Sequence, residues 1–245
     1  MHRCYTPGAD FEAPSLRVEG EEARHALRVM RLRPGDELEV FDGAGRAAVA
    51  RLVQAEGSSA MQLQVLRPLP PLPPVAQITL AIAIPKGANM DLIAQKAVEL
   101  GACRIIPLVT ERTIARPGAG DAAAKAAKWQ RTVLEACKQS GVNLLPAVEP
   151  PQAFSLFLQR ADLPSLKLQC AITPEARPMR ETLEAARAVG HRAVVLLIGP
   201  EGDFSPAEYA ASAAAGYAPI SLGPIILRVE TAAFMALSAA RYALD

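Results

Sequence analysis

Three stretches of this chain set polar or conformationally permissive residues where a strand gives way to a helix. The first is Leu197-Ile-Gly199-Pro200-Glu201-Gly202-Asp203-Phe204-Ser205-Pro206-Ala207-Glu208. An apolar run ends in a Gly-containing loop, and Ser205, Pro206 and Glu208 have the spacing of a capping box with proline at the first helical position. Gly199 and Gly202 would let a ligand approach the backbone. The second is Ser221-Leu222-Gly223-Pro224-Ile225-Ile226-Leu227-Arg228-Val229-Glu230-Thr231. Arg228 and Glu230 stand there among apolar neighbours; a salt bridge at the start of a helix is the plainer meaning. The third is Ile84-Pro-Lys86-Gly87-Ala88-Asn89-Met90-Asp91, in which Lys86 faces a phosphate or only solvent. In open α/β sheets, ligands gather at such carboxyl ends of strands.

A fourth group is purely basic. Arg24, Arg28, Arg31 and Arg33 fall within ten residues with no acidic residue between them. Guanidinium groups suit phosphates and stack on bases, although such a run is more often a solvated face. Lys125, Lys128, Arg131 and Lys138 form a weaker second group on an Ala-rich helix.

These residues need a scaffold. The stretch Arg67-Pro-Leu-Pro-Pro-Leu-Pro-Pro74 holds five prolines in eight residues and reads as a stiff linker, although a proline-rich ligand has the same composition. It separates a part spanning residues 1–70 from one spanning 75–245. Before it, Glu37–Phe41, Ala47–Val53 and Met61–Leu66 read as short strands joined by tight turns, with a helix over Glu21–Val29, which suggests a small β-barrel. After it, strands are expected at Gln77–Ile84, Arg104–Val109, Lys167–Ile172, Ala193–Ile198 and Pro219–Leu222. Helices are expected at Met90–Leu100, Ala122–Gln139, Met179–Ala188, Pro206–Ala215 and Thr231–Leu244. That alternation predicts an α/β fold with a parallel sheet covered on both faces.

Composition narrows the function. With 245 residues, 51% of them apolar, the chain can bury a sizeable core and is not disordered. No apolar run is long enough to span a membrane, and the first residues carry no signal-peptide core, so the expectation is a soluble, cytoplasmic protein with no membrane partner. The four cysteines are scattered and there are three histidines, which argues against a disulfide framework and predicts no metal site. Neither GxGxxG nor GxxxxGK[ST] occurs. A formal net charge of +1 excludes a bulk polycation but not a local basic patch.

The segments KGANMDLIAQKAVELGACRIIPLVTERT (86–113), EACKQSGVNLLP (135–146), LIGPEGDFSPAE (197–208) and LGPIILRVETAA (222–233), in this order, resemble the ribosomal RNA small subunit methyltransferase E family of the SPOUT superfamily. His25-Ala-Leu-Arg-Val-Met-Arg31-Leu-Arg-Pro34-Gly35-Asp36 and Val40-Phe41-Asp42-Gly43 resemble that family's PUA-like RNA-binding domain. The resemblance implies a SPOUT-type parallel sheet with a C-terminal trefoil knot, preceded by a small PUA-like β-barrel domain, and a homodimer. It implies transfer of a methyl group from S-adenosylmethionine, leaving S-adenosylhomocysteine, to N3 of a uridine in 16S rRNA of the small ribosomal subunit. It assigns the cofactor to Leu197, Ile198, Gly199, Pro200, Glu201, Gly202, Leu222, Gly223, Pro224, Ile226 and Leu227, and RNA contact to Arg24, His25, Arg28, Arg31, Arg33 and Lys86. Arg228, Glu230 and Glu201 are then the candidates for catalysis. The chain departs from the family pattern at Val142 and Leu144, usually arginines, at Ile225, commonly arginine, and at Asp203, usually glycine. The lost arginines leave open an RNA-binding protein of the same architecture with altered catalysis, or a SPOUT enzyme with another RNA target.

Overall fold

The computed structural model describes every residue except Pro74 and Ala119. The chain divides into two compact units, Met1–Pro73 with Cys137–Leu145, and Pro74–Ala136 with Pro146–Asp245.

The first unit is built on strands β1 (His2–Tyr5), β2 (Ser15–Glu19), β3 (Glu37–Phe41), β4 (Ala47–Glu56) and β5 (Ala60–Pro68), in the sheet order β1-β3-β4-β5-β2. β1 lies parallel to β3, and the other pairings are antiparallel. The hydrogen-bonded path ends at β1 and β2, so the expected barrel is an open five-stranded sheet around one core. Cys4, Val18, Leu38, Val40, Leu52, Met61 and Leu63 fill that core. β5 runs further than expected: Pro68 still pairs with Ala48, and the Leu69 N–H donates to the Ala47 carbonyl at 2.8 Å. Proline is tolerated here at a strand end, where no donor is required of it. Of the expected linker, only the residues beyond Pro68 lie outside the sheet, and Pro74 lies outside the described residues.

The helix expected over Glu21–Val29 is two pieces. α1 (Gly20–Arg24) passes directly into a π-helical turn, His25–Val29, and Arg31 ends it in the left-handed region at φ 58°. π-turns are rare and often sit at functional sites. The strand-free segment Cys137–Leu145 is held in the first unit by the buried Arg3. Its guanidinium donates to the Cys137 carbonyl at 2.5 Å and to Asn143. Arg3 also pairs with Glu39 at 2.9 Å.

The second unit opens with β6 (Gln77–Ala83), α2 (Asn89–Glu99), β7 (Ala102–Val109) and α3 (Asp121–Ser140), whose last residues belong to the first unit. It continues through β8 (Ala147–Val148), β9 (Gln152–Ala153), α4 (Phe154–Leu158), β10 (Leu166–Cys170), β11 (Arg177–Pro178) and α5 (Met179–Ala188). β12 (Ala193–Ile198), α6 (Pro206–Ala214), β13 (Ala218–Ser221) and α7 (Val229–Leu244) complete it. The strand order is β11-β13-β10-β12-β6-β7-β8, with β9 also on β7, and every pairing is parallel.

The central strands are buried on both faces, which is why they read as continuous Val, Ile and Leu runs. On one side α7 packs on β6 and β12 and against α2 and α5. A second cluster joins Ala81, Ile106, Val195 and Leu197 of the sheet to Phe154, Phe157, Phe204 and Tyr217. β10, β12 and β13 are neighbours and parallel, so their C-terminal loops emerge side by side.

Candidate functional site

A cavity of about 700 Å³ opens at that edge, lined by the loops that follow β10, β12 and β13 together with Asn89 at the start of α2. Pockets for small ligands fall in this size range.

The loop after β12 is tightly wired. The Asp203 N–H donates to the Pro200 carbonyl at 2.9 Å. Ser205 caps α6 in the expected capping box: the Glu208 N–H donates to Ser205 Oγ at 3.3 Å, and the Ser205 N–H to Glu208 Oε2 at 3.0 Å. The other Glu208 oxygen takes the Glu111 N–H at 2.8 Å. Arg112 donates to the Gly202 carbonyl at 2.7 Å. Glu201 Oε1 accepts the Lys86 N–H at 2.9 Å, which ties this loop to the one after β6.

Glycine has particular reasons here. A Cβ on Gly199 would stand 2.9 Å from the Phe204 ring, so the position is small because Phe204 packs beneath it. Gly223, at φ 127°, needs the conformation itself.

Asp203 is unusual. At φ 60° it occupies the left-handed region that glycine adopts freely, at a cost of about 1–2 kcal/mol for other L residues. Its side chain offsets this. Oδ1 accepts the Phe204 N–H at 2.8 Å, and the Tyr209 hydroxyl donates to Oδ1 at 2.8 Å and Oδ2 at 3.0 Å. Burial, then the neighbouring carboxylate, push the Tyr209 hydroxyl up, so it remains a donor. The conformation accounts for the glycine usual at this place in the related pattern.

The loop after β13 is the opposite case. Ile225 and Ile226 are 70% and 80% exposed. Arg228 is the N-cap of α7 but makes no side-chain cap, and among the described residues its guanidinium has no ion pair. The expected alternative, a pair with Glu230, is not formed: Glu230 Oε2 instead accepts Asn89 Nδ2 at 3.4 Å. Cys170 also lines the cavity; burial pushes its thiol up to about 12, which keeps it a neutral thiol near neutral pH.

Most of the residues singled out from sequence meet here. Ile198, Gly199, Pro200, Glu201, Leu222, Gly223, Pro224, Ile226, Leu227, Arg228 and Glu230 all line the cavity. Leu197 and Gly202 do not. Leu197 is fully buried in the sheet core, because successive strand residues point to opposite faces and Ile198 takes the cavity side. Gly202 faces Arg112 instead. The middle loop, Cys170–Pro174, escaped the sequence reading, as did the bond of Arg112 to the Gly202 carbonyl; Asn89 and Asp203, though within stretches it singled out, were given no site role. The one signal for the middle loop was its place after an apolar strand.

The Lys86 side chain is exposed, and its backbone N–H does the bonding. In the first unit, Arg24, Arg28, Arg31 and Arg33 are all exposed, and among the described residues none is in an ion pair. His25 lies in the π-turn, half-buried, its ring 5.4 Å from that of His2. The second basic group is weaker than its composition: Lys128 pairs with Asp91 at 2.6 Å and Lys138 with Glu22. Among the described residues no group of three His, Cys, Asp or Glu could hold a metal ion, and no helix is long and apolar enough to cross a membrane.

The chain combines a parallel α/β unit, with its cavity at the strand ends, and a small β unit whose clustered arginines make no ion pair among the described residues; that is the make-up of a two-part RNA methyltransferase. Family models agree: an RNA methyltransferase domain matches residues 71–241, and an RNA methyltransferase PUA domain matches residues 18–66. A ribosomal RNA small subunit methyltransferase E from Synechocystis is 35% identical over 89% of this chain and 69% of its own length. One from Bacillus subtilis is 30% identical over 94% of this chain and 91% of its own.

Among solved structures, a methyltransferase from Legionella pneumophila with S-adenosylmethionine bound matches at a TM-score of 0.87 and 32% identity, covering 98% of this chain and 97% of that one. A ribosomal RNA small subunit methyltransferase E from Neisseria gonorrhoeae, bound to the same cofactor, matches at 0.84 and 33%, covering 98% and 96%. The chain belongs to the ribosomal RNA small subunit methyltransferase E family.

Proposed function

We propose that the protein methylates N3 of a uridine in 16S rRNA of the small ribosomal subunit, with S-adenosylmethionine as methyl donor. The observation that carries this reading is a cavity, built where three neighbouring parallel strands end, with a guanidinium on its wall that makes no ion pair among the described residues. The wall suits the cofactor: apolar side chains and backbone groups for an adenine, carboxylates for a cation. When bound, the cofactor supplies a methyl group on a positively charged sulfur.

The chain's residues have separable tasks. Uridine N3 must lose its proton to attack. Arg228 sits where it would orient the uracil and stabilise negative charge developing on its carbonyl oxygens. Glu230, its Oε2 held by Asn89, keeps Oε1 to accept the proton. Glu201, anchored on the Lys86 N–H, holds two loops in register and acts as a positioning residue.

RNA recognition belongs in this reading to the PUA-like part, residues 1–70, and chemistry to residues 75–245. Arg24, His25, Arg28, Arg31 and Arg33 would meet the RNA, with Lys86 beside the cavity; the strained Arg31 and the π-turn support that placement. If each arginine neutralises one phosphate, Arg28→Ala lowers the slope of log affinity against log salt by about 0.7–0.9. The reading also carries the SPOUT trefoil knot, a cytoplasmic location and a homodimer. Exposed Ile172, Ile225 and Ile226 at the cavity rim support the last of these.

The test is methyl transfer from labelled S-adenosylmethionine to small subunits lacking the modification, with nucleoside analysis. The expected product is 3-methyluridine. Cofactor binding with no label on subunits would move the target to another RNA, and loss of both would leave an RNA-binding protein.

A further inference from the structure

The cavity wall carries three carboxylates, Glu201, Asp203 and Glu230, against one guanidinium, Arg228. Glu201 and Glu230 already have tasks in the proposed reaction, and Asp203 has none. Nor does the loop demand a carboxylate at this position: a glycine would hold φ 60° without strain. The side chain is nonetheless fixed, by the Phe204 N–H and by the Tyr209 hydroxyl. These donors leave acceptor capacity on a carboxylate, most of it on Oδ2, which takes only the longer of the two Tyr209 contacts.

The two forms of the cofactor differ in charge where it matters. S-adenosylmethionine carries a sulfonium as well as its ammonium and carboxylate, and is a net cation. S-adenosylhomocysteine has a neutral thioether in place of the sulfonium and no net charge. A wall with an excess of negative charge in a partly enclosed cavity attracts the first more than the second. From this geometry we infer that Asp203 is a specificity-determining residue: its carboxylate reads the sulfonium charge and favours the methyl donor over the spent product. The inference rests on the S-adenosylmethionine reading of the cavity and deepens it. Tyr209 serves as a positioning residue that holds the carboxylate in place.

Calorimetric titration of the full chain with S-adenosylmethionine and with S-adenosylhomocysteine gives the ratio of the two dissociation constants. Asp203→Asn retains the shape of the side chain, and Asp203→Gly suits the backbone, so at least one variant folds. In both, the preference for S-adenosylmethionine is expected to fall about three- to tenfold, through weaker donor binding. Raising the salt should shrink the preference of the natural protein more than that of the variants, which keep Glu201 and Glu230. Tyr209→Phe keeps the charge but releases the carboxylate, and should lower the preference less than the Asp203 variants do. An unchanged ratio in the Asp203 variants overturns the inference, including the case in which both affinities weaken together, which is what a purely structural role gives. Failure of the natural protein to bind either ligand is a different result: it removes the cofactor reading and this inference with it.

Discussion

From Gly199 to Ser205, after β12, carboxylates, hydroxyls and carbonyls find partners: Glu201 on Lys86, Asp203 on Tyr209, Ser205 on Glu208, and the Gly202 carbonyl on Arg112. From Ser221 to Arg228, the side-chain bonds among the described residues are those of Ser221 to the Gly223 backbone, at 3.2 and 3.3 Å. Both loops leave parallel strands at the same edge and line the same cavity. In the proposed reading the wired loop holds the cofactor, and its hydrogen bonds would remove entropy that binding otherwise costs. The bare loop keeps a guanidinium and two isoleucines exposed.

The contrast can be broken in graded steps. Phe204 is buried under Gly199, in ring contact with Phe154 and Tyr209. Phe204→Ala should destabilise the protein by about 3–5 kcal/mol and weaken S-adenosylmethionine binding with it, as read by denaturant titration and calorimetry. Glu201→Gln replaces a charge-assisted hydrogen bond with a neutral one. It should weaken cofactor binding by about 1–2 kcal/mol, roughly tenfold, with little loss of stability. Ile226→Ser, in the bare loop, should leave stability within about 0.5 kcal/mol; a large loss of stability would mean that loop is as built-in as the other.

What sequence alone could reveal follows the same division between local and distant causes. The capping box and the central strands were legible because they depend on neighbours in the chain: Ser205 with Glu208, or an unbroken apolar run. β1 and β2 escaped because their partners lie far along the chain: β1 pairs with β3 and β2 with β5. The role of Arg3 was not legible, since its partners Cys137 and Asn143 lie more than a hundred positions away. The Cys170–Pro174 wall was hidden for a related reason, since only the strand order reveals that β10 lies between β12 and β13. Leu197 lies one residue along the strand from Ile198, and so faces the core where Ile198 faces the cavity. Arg228 and Glu230 both line the cavity, but among the described residues they form no ion pair, and Glu230 accepts from Asn89 instead.

The central claim is that the wired loop holds the cofactor while the bare loop does chemistry through Arg228. Arg228→Ala, measured for both single-turnover transfer of labelled methyl and S-adenosylmethionine affinity, tests it most directly. The account expects transfer to fall by about a hundredfold or more, with affinity changed less than about threefold. Transfer at the natural rate, or a loss of affinity that accounts for the whole loss of transfer, would contradict it.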